Sequence, residues 1–282
     1  MKIKDMLQWS SALGFLLLSP GLVAQAPEIV ASPVEAASVL RGADVIILGE
    51  IHDNPTHHIN QAQLIQQLSP SAVVFEMLSP TQADLVNGMS GREVELRDAI
   101  DWPESGWPDW SLYEPIFLAT GNRPVYGAAL PRDSVRRAVA EGAAAVFGND
   151  AAQYGLADAL PSGQQTDREA EQMAAHCDML PPPMLPGMVE AQRLRDAAFA
   201  RTVINALAEQ GPPIILIAGA GHARTDWGVP AALSHAAPDV RVASLGQVED
   251  LSEPVAPYDV ILRADAPDRE DPCLGLQHMG SR

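Results

Sequence analysis

The chain has 282 residues, of which 47% are hydrophobic and 19% charged, enough to build one large core. Its 36 acidic residues outnumber its 18 basic residues, so the formal net charge at pH 7 is −18. Phosphate backbones and anionic lipids demand the opposite sign, and the charge therefore predicts no nucleic-acid partner and argues against an anionic membrane surface.

The first 26 residues have the layout of a secretory signal peptide. Lys2 and Lys4 precede the apolar stretch WSSALGFLLL, and SPGLVAQA ends with the A-x-A spacing of Ala24 and Ala26. The apolar stretch is too short to span a bilayer, so we expect cleavage after Ala26, or after Ala24, and export. No cysteine lies near the cleavage site. The sequence therefore predicts a soluble periplasmic or secreted protein without a lipid anchor.

Six apolar runs recur along the chain with helical or loop segments between them. Continuous apolar strands that alternate with helices are typical of a parallel sheet covered on both faces. The sequence therefore predicts an α/β fold, with a mostly parallel sheet flanked by helices. The predicted strands are 45–48, 72–75, 125–129, 214–218, and segments around 240–245 and 260–262.

The segments between these strands carry further signals. Asn54 followed by Pro55 predicts a helix that begins with Asn at the N-cap and Pro at the first helical position. Residues 80–121 contain WPESGWPDWSLYEP, in which Pro and Gly recur, and we predict a loop or lid there. Residues 131–210 are helical by composition. They predict a helical insertion between the third and fourth predicted strands, within one domain that covers residues 27–282.

The two cysteines, Cys177 and Cys273, allow two interpretations. In an oxidising compartment they could form a disulfide that ties the C-terminal tail to a helix, and otherwise they are buried free thiols. His176 precedes Cys177, and three methionines follow at 179, 184 and 188, which together offer soft ligands. The alternative is a core helix with flexible Met packing.

Ionisable residues stand where three of the predicted strands end. Glu50 and His52 follow the first strand in GEIHDNPTHH, Glu76 follows the second, and His222 follows the fourth. Functional groups of parallel α/β sheets gather outside the carboxyl ends of the strands, so we expect these four side chains to converge on one crevice. A His/Glu set of this kind suits general acid–base chemistry or a metal. The alternative is that the carboxylates pair with arginines such as those at 132 and 224.

Several other side chains are candidate ligands near the same crevice. His57 and His58 lie in the first turn of the helix after Pro55. The chain has four tyrosines, at 113, 126, 154 and 258, and among these Tyr126 and Tyr154 are placed best for a ligand by their predicted elements. Three polar residues, Gln192, Arg195 and Asp196, interrupt a core-like helix. They either face the crevice or form a solvated helix face.

The motifs LGEIHDNPTHH, VVFEM, AQRLRDAAFA and AGAGHARTDWGVP resemble those of the ChaN-like haem-binding uptake proteins. These proteins belong to a superfamily with the erythromycin esterases and the Tiki/TraB proteins, and the resemblance spans about residues 34–252. It implies an exported α/β protein that binds haem for iron acquisition, with the shared Glu and His positions at Glu50, His52, Glu76 and His222. It also implies tyrosine ligation of haem with histidine support, at a dimer interface.

The first predicted function is therefore haem binding in a crevice at the carboxyl ends of the strands. Such a crevice needs an apolar floor, an aromatic or Met wall, an axial Tyr or His, and arginines for the propionates. The tryptophans at 102, 107 and 110 fit the aromatic wall. Expected partners are haem, a second copy of the chain once haem binds, and membrane haem-transport components. The candidate haem-binding residues are His52, His57, His58, Tyr126, Tyr154, His176, His222 and Arg224.

The alternative function is a periplasmic hydrolase that acts on an ester, a lactone or an amide. In that hypothesis Glu50, His52, Glu76 and His222 are catalytic, with a histidine as general base and a divalent metal as an optional cofactor. The sequence contains neither G-x-S-x-G nor H-E-x-x-H. It therefore predicts neither a serine nucleophile nor a zincin site.

Overall fold

The computed structural model describes residues 26–89, 95–252, 255–270 and 273. Most of the predicted signal peptide, residues 1–25, lies outside these ranges. Across the described residues, seven strands form one sheet in the order β1-β7-β6-β2-β5-β3-β4, and every neighbouring pair is parallel. The strands are β1 (Glu28–Val30), β2 (Val45–Glu50), β3 (Ala72–Phe75), β4 (Val125–Gly127), β5 (Ile214–Gly219), β6 (Val242–Val248) and β7 (Val260–Arg263).

The helices cover both faces of this sheet, which confirms the predicted α/β class. Within the described residues they are α1 (Pro33–Leu40), α2 (Pro55–Leu68), α3 (Pro80–Gly88), α4 (Leu96–Ala99), α5 (Trp102–Ser105), α6 (Trp110–Thr120), α7 (Arg132–Glu141), α8 (Ala143–Phe147), α9 (Ser162–Ala175), α10 (Leu185–Gln210), α11 (Ala220–Ala223) and α12 (Val229–Ala236). Two short 3₁₀ turns, Ala151–Tyr154 and Pro182–Met184, lie between them. Among these helices, none combines the length and the apolar content that a bilayer crossing needs.

Alternating side chains of the central strand β2 enter two different cores. Ile46 and Leu48 pack with helices α1 to α6, whereas Val45 and Ile47 pack with the helices that follow β4. Successive side chains of a strand point to opposite faces, so an unbroken apolar run is what a strand covered on both sides requires. All four of these side chains are buried. The predicted run 45–48 therefore identifies the centre of the fold.

The helical insertion is confirmed, and it lies between β4 and β5. It contains α7 to α10, and α10 packs along the second face of the sheet. Cys177 and Cys273 form a disulfide, the first of the two interpretations. Strand β1 was not predicted. It is a three-residue edge strand whose first two side chains are exposed, so it carries no apolar run.

The prediction of a loop over residues 80–121 was wrong for most of that segment, which forms α3 to α6. Although this segment is rich in proline, side-chain N-caps stabilise the first turns of two of its helices. Ser79 and Gln82 form a capping box at α3, and Asp109 accepts a hydrogen bond from the Ser111 N–H at α6. Helix α6 keeps Pro115 in its interior and buries Tyr113. The helix therefore presents a phenol to the interior of the protein.

Candidate functional site

Glu50 is the centre of the first ionisable group at the carboxyl edge of the sheet. It is the last residue of β2, and only 2% of it is exposed. Its Oε1 accepts a hydrogen bond from the Tyr113 hydroxyl at 2.6 Å and lies 2.8 Å from Nδ1 of His52. Nε2 of His58 donates to the carbonyl of His52 at 2.9 Å. We call Glu50, His52, His58 and Tyr113 the Glu50 cluster.

His52 is the exposed member of the Glu50 cluster. Its side chain is 37% exposed, whereas the carboxylate of Glu50 is fully covered. A Cβ atom at Gly219 would lie 3.0 Å from both Cε1 and Nε2 of His52, and the indole of Trp107 contacts the same imidazole in an edge-type arrangement at a centroid distance of 4.9 Å. Burial lowers the pKa of His52, but the hydrogen bond and the charge of Glu50 outweigh it, and that pKa is raised. The imidazole is therefore confined, and Glu50 stabilises its protonated form.

A second group surrounds His222, at the end of β5. Nδ1 of His222 lies 2.6 Å from Oδ1 of Asp196 on α10, and Nε2 lies 3.5 Å from Oε1 of Glu76. The other oxygen of Glu76 accepts a hydrogen bond from the Gly219 N–H at 2.7 Å. All three ionisable residues are buried. We call Glu76, Asp196 and His222 the His222 cluster.

Burial and the neighbouring charges act in opposite directions on the pKa values of the His222 cluster. Burial lowers the pKa of His222, but the charges of Glu76 and Asp196 outweigh it and raise that pKa to about 10. Burial raises the pKa of Glu76, but the charges of His222 and His52 lower it to about 2. Burial raises the pKa of Asp196. At neutral pH the cluster therefore holds an imidazolium beside an ionised Glu76.

The two clusters meet at Gly219. The position of a Cβ on this residue would lie 3.0 Å from the His52 ring and 3.7 Å from Oε2 of Glu76. The sequence-predicted set of Glu50, His52, Glu76 and His222 is thus brought to one edge of the sheet. The alternative pairing with arginines is not what the structure has, since Arg132 donates to the Ser105 carbonyl and Arg224 pairs with Asp226 and Glu171.

A cavity of about 630 Å³ opens beside these clusters, at the ends of β3 and β4. Glu76 lines its wall together with Trp107, which also touches His52. The rest of the lining combines apolar residues with the polar residues Ser79, Gln82 and Ser105 and with three cationic side chains. The other apolar lining residues include Met77, Leu130, Val135 and Phe199, and the cationic ones are Arg132, Arg136 and Arg195. The cavity therefore offers an apolar slot with a positive rim.

No three His, Cys, Asp or Glu side chains of the described ranges form a group that could hold a metal ion. Oε1 of Glu50 and the carboxylates of Glu76 and Asp196 bond imidazole, phenol or backbone donors, whereas Oε2 of Glu50 is buried without a hydrogen-bond partner in the described part of the chain. For the divalent metal considered in the hydrolase alternative, the described part of the chain therefore offers no ligand set.

The neighbouring histidines His57 and His58 are buried, and their rings form hydrogen bonds with backbone groups. Nδ1 of His57 accepts a hydrogen bond from the Ile51 N–H at 2.9 Å, and burial lowers the pKa of His57 to about 4. His58 holds the carbonyl of His52, as described above. Both side chains fix the loop that carries His52, and neither reaches the cavity wall.

The remaining predicted ligands lie away from the cavity. The Tyr126 hydroxyl donates to Glu209 at 2.7 Å, near the end of α10 that leads into the amino end of β5. Tyr154 is buried against Phe147, and the ring of His176 bonds a backbone carbonyl at the end of α9, beside the disulfide. The guanidinium of Arg224 stacks on the Trp227 ring at 3.7 Å.

Two residues of the site were recognised incompletely from the sequence. Tyr113 is one of four tyrosines, and the sequence favours Tyr126 and Tyr154 over it by their predicted elements. Its spacing to Ile116 and Phe117, all buried on one side of α6, was the available signal. Asp196 was noted as a polar residue on a core-like helix, and the crevice-facing interpretation holds for it, because only 5% of it is exposed.

A family model and a solved structure agree with this architecture. The family model described as haem-binding uptake, Tiki superfamily, ChaN matches residues 36–233. ChaN of Campylobacter jejuni, solved with cofacial haem, has a TM-score of 0.61 at 20% identity, over 80% of this chain and 90% of that chain. An erythromycin esterase EreC mutant in its open conformation has a TM-score of 0.42 at 12% identity, over 80% of this chain and 77% of that chain. No curated protein matches the chain.

Proposed function

Because the chain belongs to the ChaN family of haem-binding uptake proteins in the Tiki superfamily, we propose that it binds haem in the cavity beside Glu76 and Trp107. The proposed role is haem or iron uptake. The observation that carries the proposal is the cavity itself, with apolar walls and three arginines in a chain whose net charge is −18.

The lining matches the chemistry of haem. A cavity of about 630 Å³ is within the range of cofactor sites, and its apolar wall suits the faces of a porphyrin. Guanidinium groups bind carboxylates through paired donors, which suits the two propionates. One N–H of Arg132 donates to the Ser105 carbonyl, and one N–H of Arg195 donates to the side-chain oxygen of Gln192. Each guanidinium therefore has further N–H groups that can bind a ligand. When bound, haem would supply an iron that takes an axial ligand from protein.

The assignment of the arginines to the propionates can be tested with a haem whose propionates are uncharged. We expect the dimethyl ester of haemin to bind roughly 10- to 100-fold more weakly than haemin, because the ester cannot form charge-assisted hydrogen bonds with the arginines. Equilibrium titrations in detergent-matched buffer would give both dissociation constants. Equal constants would mean that the arginines do not bind the propionates.

Export, assembly and partners belong to the same proposal. We infer that residues 1–26 direct the protein to the periplasm or the medium. The relative from Campylobacter jejuni binds haem cofacially, which supports assembly of two copies when haem binds. Membrane haem-transport components are the partners expected of an uptake protein.

The hydrolase remains the second candidate, and one observation favours it. Glu50 and His52 form a hydrogen-bonded pair with a half-exposed imidazole, the arrangement of a general-base dyad. Burial lowers the pKa of His222, but the charges of Glu76 and Asp196 raise it to about 10, which leaves that ring protonated near pH 7 and unable to act as the general base. Hydrolysis of an ester, lactone or amide by the wild type, lost in His52→Ala, would favour the hydrolase.

A further inference from the structure

We propose that Arg168 and the cavity beside it form a binding site for a small monocarboxylate of the size of acetate or propionate. The cavity has a volume of about 120 Å³, and residues of α9 and α12 contribute to its lining. It shares no lining residue with the cavity beside Glu76 and Trp107. The inference is therefore independent of the proposed haem-binding function.

Arg168 is a cation with an unused hydrogen-bond donor. Its side chain is half-buried, and its Nε is a buried donor that has no hydrogen-bond partner among the residues that the structure describes. A guanidinium has only donors, and a buried donor without an acceptor costs free energy. Burial lowers the pKa of Arg168 to about 10, although the charge of Asp196 acts in the opposite direction. An anion that contacts the guanidinium would offset this cost.

The carboxylates beside Arg168 are paired with other cations. Asp196 bonds His222 at 2.6 Å, and Asp226 bonds Arg224 at 2.8 Å. The charges of both carboxylates raise the pKa of Arg168, but neither carboxylate forms an ion pair with its guanidinium. The donors of Arg168 are therefore accessible to a carboxylate that enters the cavity.

The walls of the cavity match the two ends of a short acid. A planar guanidinium can bind a carboxylate through two parallel hydrogen bonds, and the guanidinium of Arg168 lies 5.2 Å from the centroid of the Trp227 ring. Another part of the wall is apolar and would contact the alkyl group of the acid. Its residues are Leu156, Leu160, Ala231 and Ala232.

Size and charge limit the ligand further. The cavity of about 120 Å³ has room for roughly four water molecules, since each occupies about 30 Å³ in the liquid, and this limits the acid to a short chain. Asp196 and Asp226 also line the cavity, so a second negative charge on the ligand would be repelled. Inorganic phosphate carries more negative charge than acetate at neutral pH. We therefore expect phosphate to bind roughly tenfold more weakly than acetate.

The test is a titration of the ¹⁵N-labelled wild-type protein with sodium acetate, in which sodium chloride keeps the ionic strength constant. The Nε–H cross-peak of Arg168 is identified by its absence from the spectrum of Arg168→Gln or Arg168→Lys. We expect acetate to shift this cross-peak saturably, and the indole N–H cross-peak of Trp227 to follow the same curve. Acetamide, which has the shape of acetate without its charge, should shift neither.

The variants test the role of the guanidinium itself. In Arg168→Gln the Trp227 cross-peak should report an affinity for acetate that is roughly tenfold lower, because a charge-assisted hydrogen bond is lost. Arg137→Gln is the control, since Arg137 is exposed and pairs with Glu141 outside this cavity. Its affinity for acetate should equal that of the wild type.

Three results would overturn the inference. The first is an Arg168 cross-peak whose shift grows in proportion to acetate without saturation, or is reproduced by acetamide. The second is equal affinity for acetate in Arg168→Gln and the wild type. The third is phosphate binding as tight as that of acetate, which would refute selectivity for a monocarboxylate. The titrations of the wild type with acetate, acetamide and phosphate decide the inference even if Arg168→Gln does not fold.

Discussion

Replacing His222 with alanine should lower the free energy of unfolding by about 3–5 kcal/mol. The imidazolium lies between two buried carboxylates, 2.6 Å from Asp196 and 3.5 Å from Glu76. Without it, two acidic groups would remain in the interior with no cation between them. Buried charge without a partner is among the most costly changes a folded protein can undergo.

Urea denaturation at pH 7 would measure this loss. His235→Ala is the matched control, because His235 is exposed on α12, and it should change the free energy of unfolding by no more than about 0.5 kcal/mol. A loss below about 1 kcal/mol in His222→Ala would show that the cluster does not carry the charges assigned to it.

The same imidazolium predicts how stability depends on pH. In the folded protein the pKa of His222 is about 10, above its ordinary value of 6.5, so this stabilisation is complete below pH 6.5 and is lost as the pH rises toward 10. The wild type should therefore lose stability over this window. His222→Ala should lack that part of the slope, and equal slopes in the two proteins would contradict the assignment.

Replacing Arg132 and Arg195 together with glutamine should weaken haemin binding by roughly 100-fold. Each change removes a charge-assisted hydrogen bond worth about 1.5 kcal/mol, and a tenfold change in affinity corresponds to about 1.4 kcal/mol. The two side chains line the cavity from α7 and α10, so both can approach one ligand.

Arg137→Gln is the control for the double variant. Arg137 lies on the same helix as Arg132, is exposed, and pairs with Glu141 outside the cavity. Its haemin affinity should equal that of the wild type. A double variant that binds haemin as tightly as Arg137→Gln would refute the role of the arginines.

The strands and the ionisable residues at their ends were predictable, because both depend on local patterns. Continuous apolar runs, without the alternation of a strand that faces solvent, indicate a sheet covered on both faces. In such a parallel sheet the carboxyl ends of the strands lie at one edge, which brings Glu50, Glu76 and the His222 segment together. Asn54 and Pro55 likewise start α2 as predicted, because the N-cap is a contact between residues close in sequence.

The partners of these residues were not predictable in the same way. Tyr113 reaches Glu50 from a helix 63 residues further along the chain, and that helix was predicted as a loop because of its prolines. Tyr126 was placed near the crevice by its strand, but its side chain extends toward Glu209 instead. Side-chain direction in the folded protein decides both cases, and a single sequence does not specify it.

The most direct test of the central claim is an equilibrium titration of the purified wild-type protein with haemin, followed by the Soret band. We predict a saturable band with a fixed stoichiometry of haem per chain and a dissociation constant that can be fitted. A featureless response that grows in proportion to added haemin, as in buffer without protein, would contradict haem binding in the cavity beside Glu76 and Trp107.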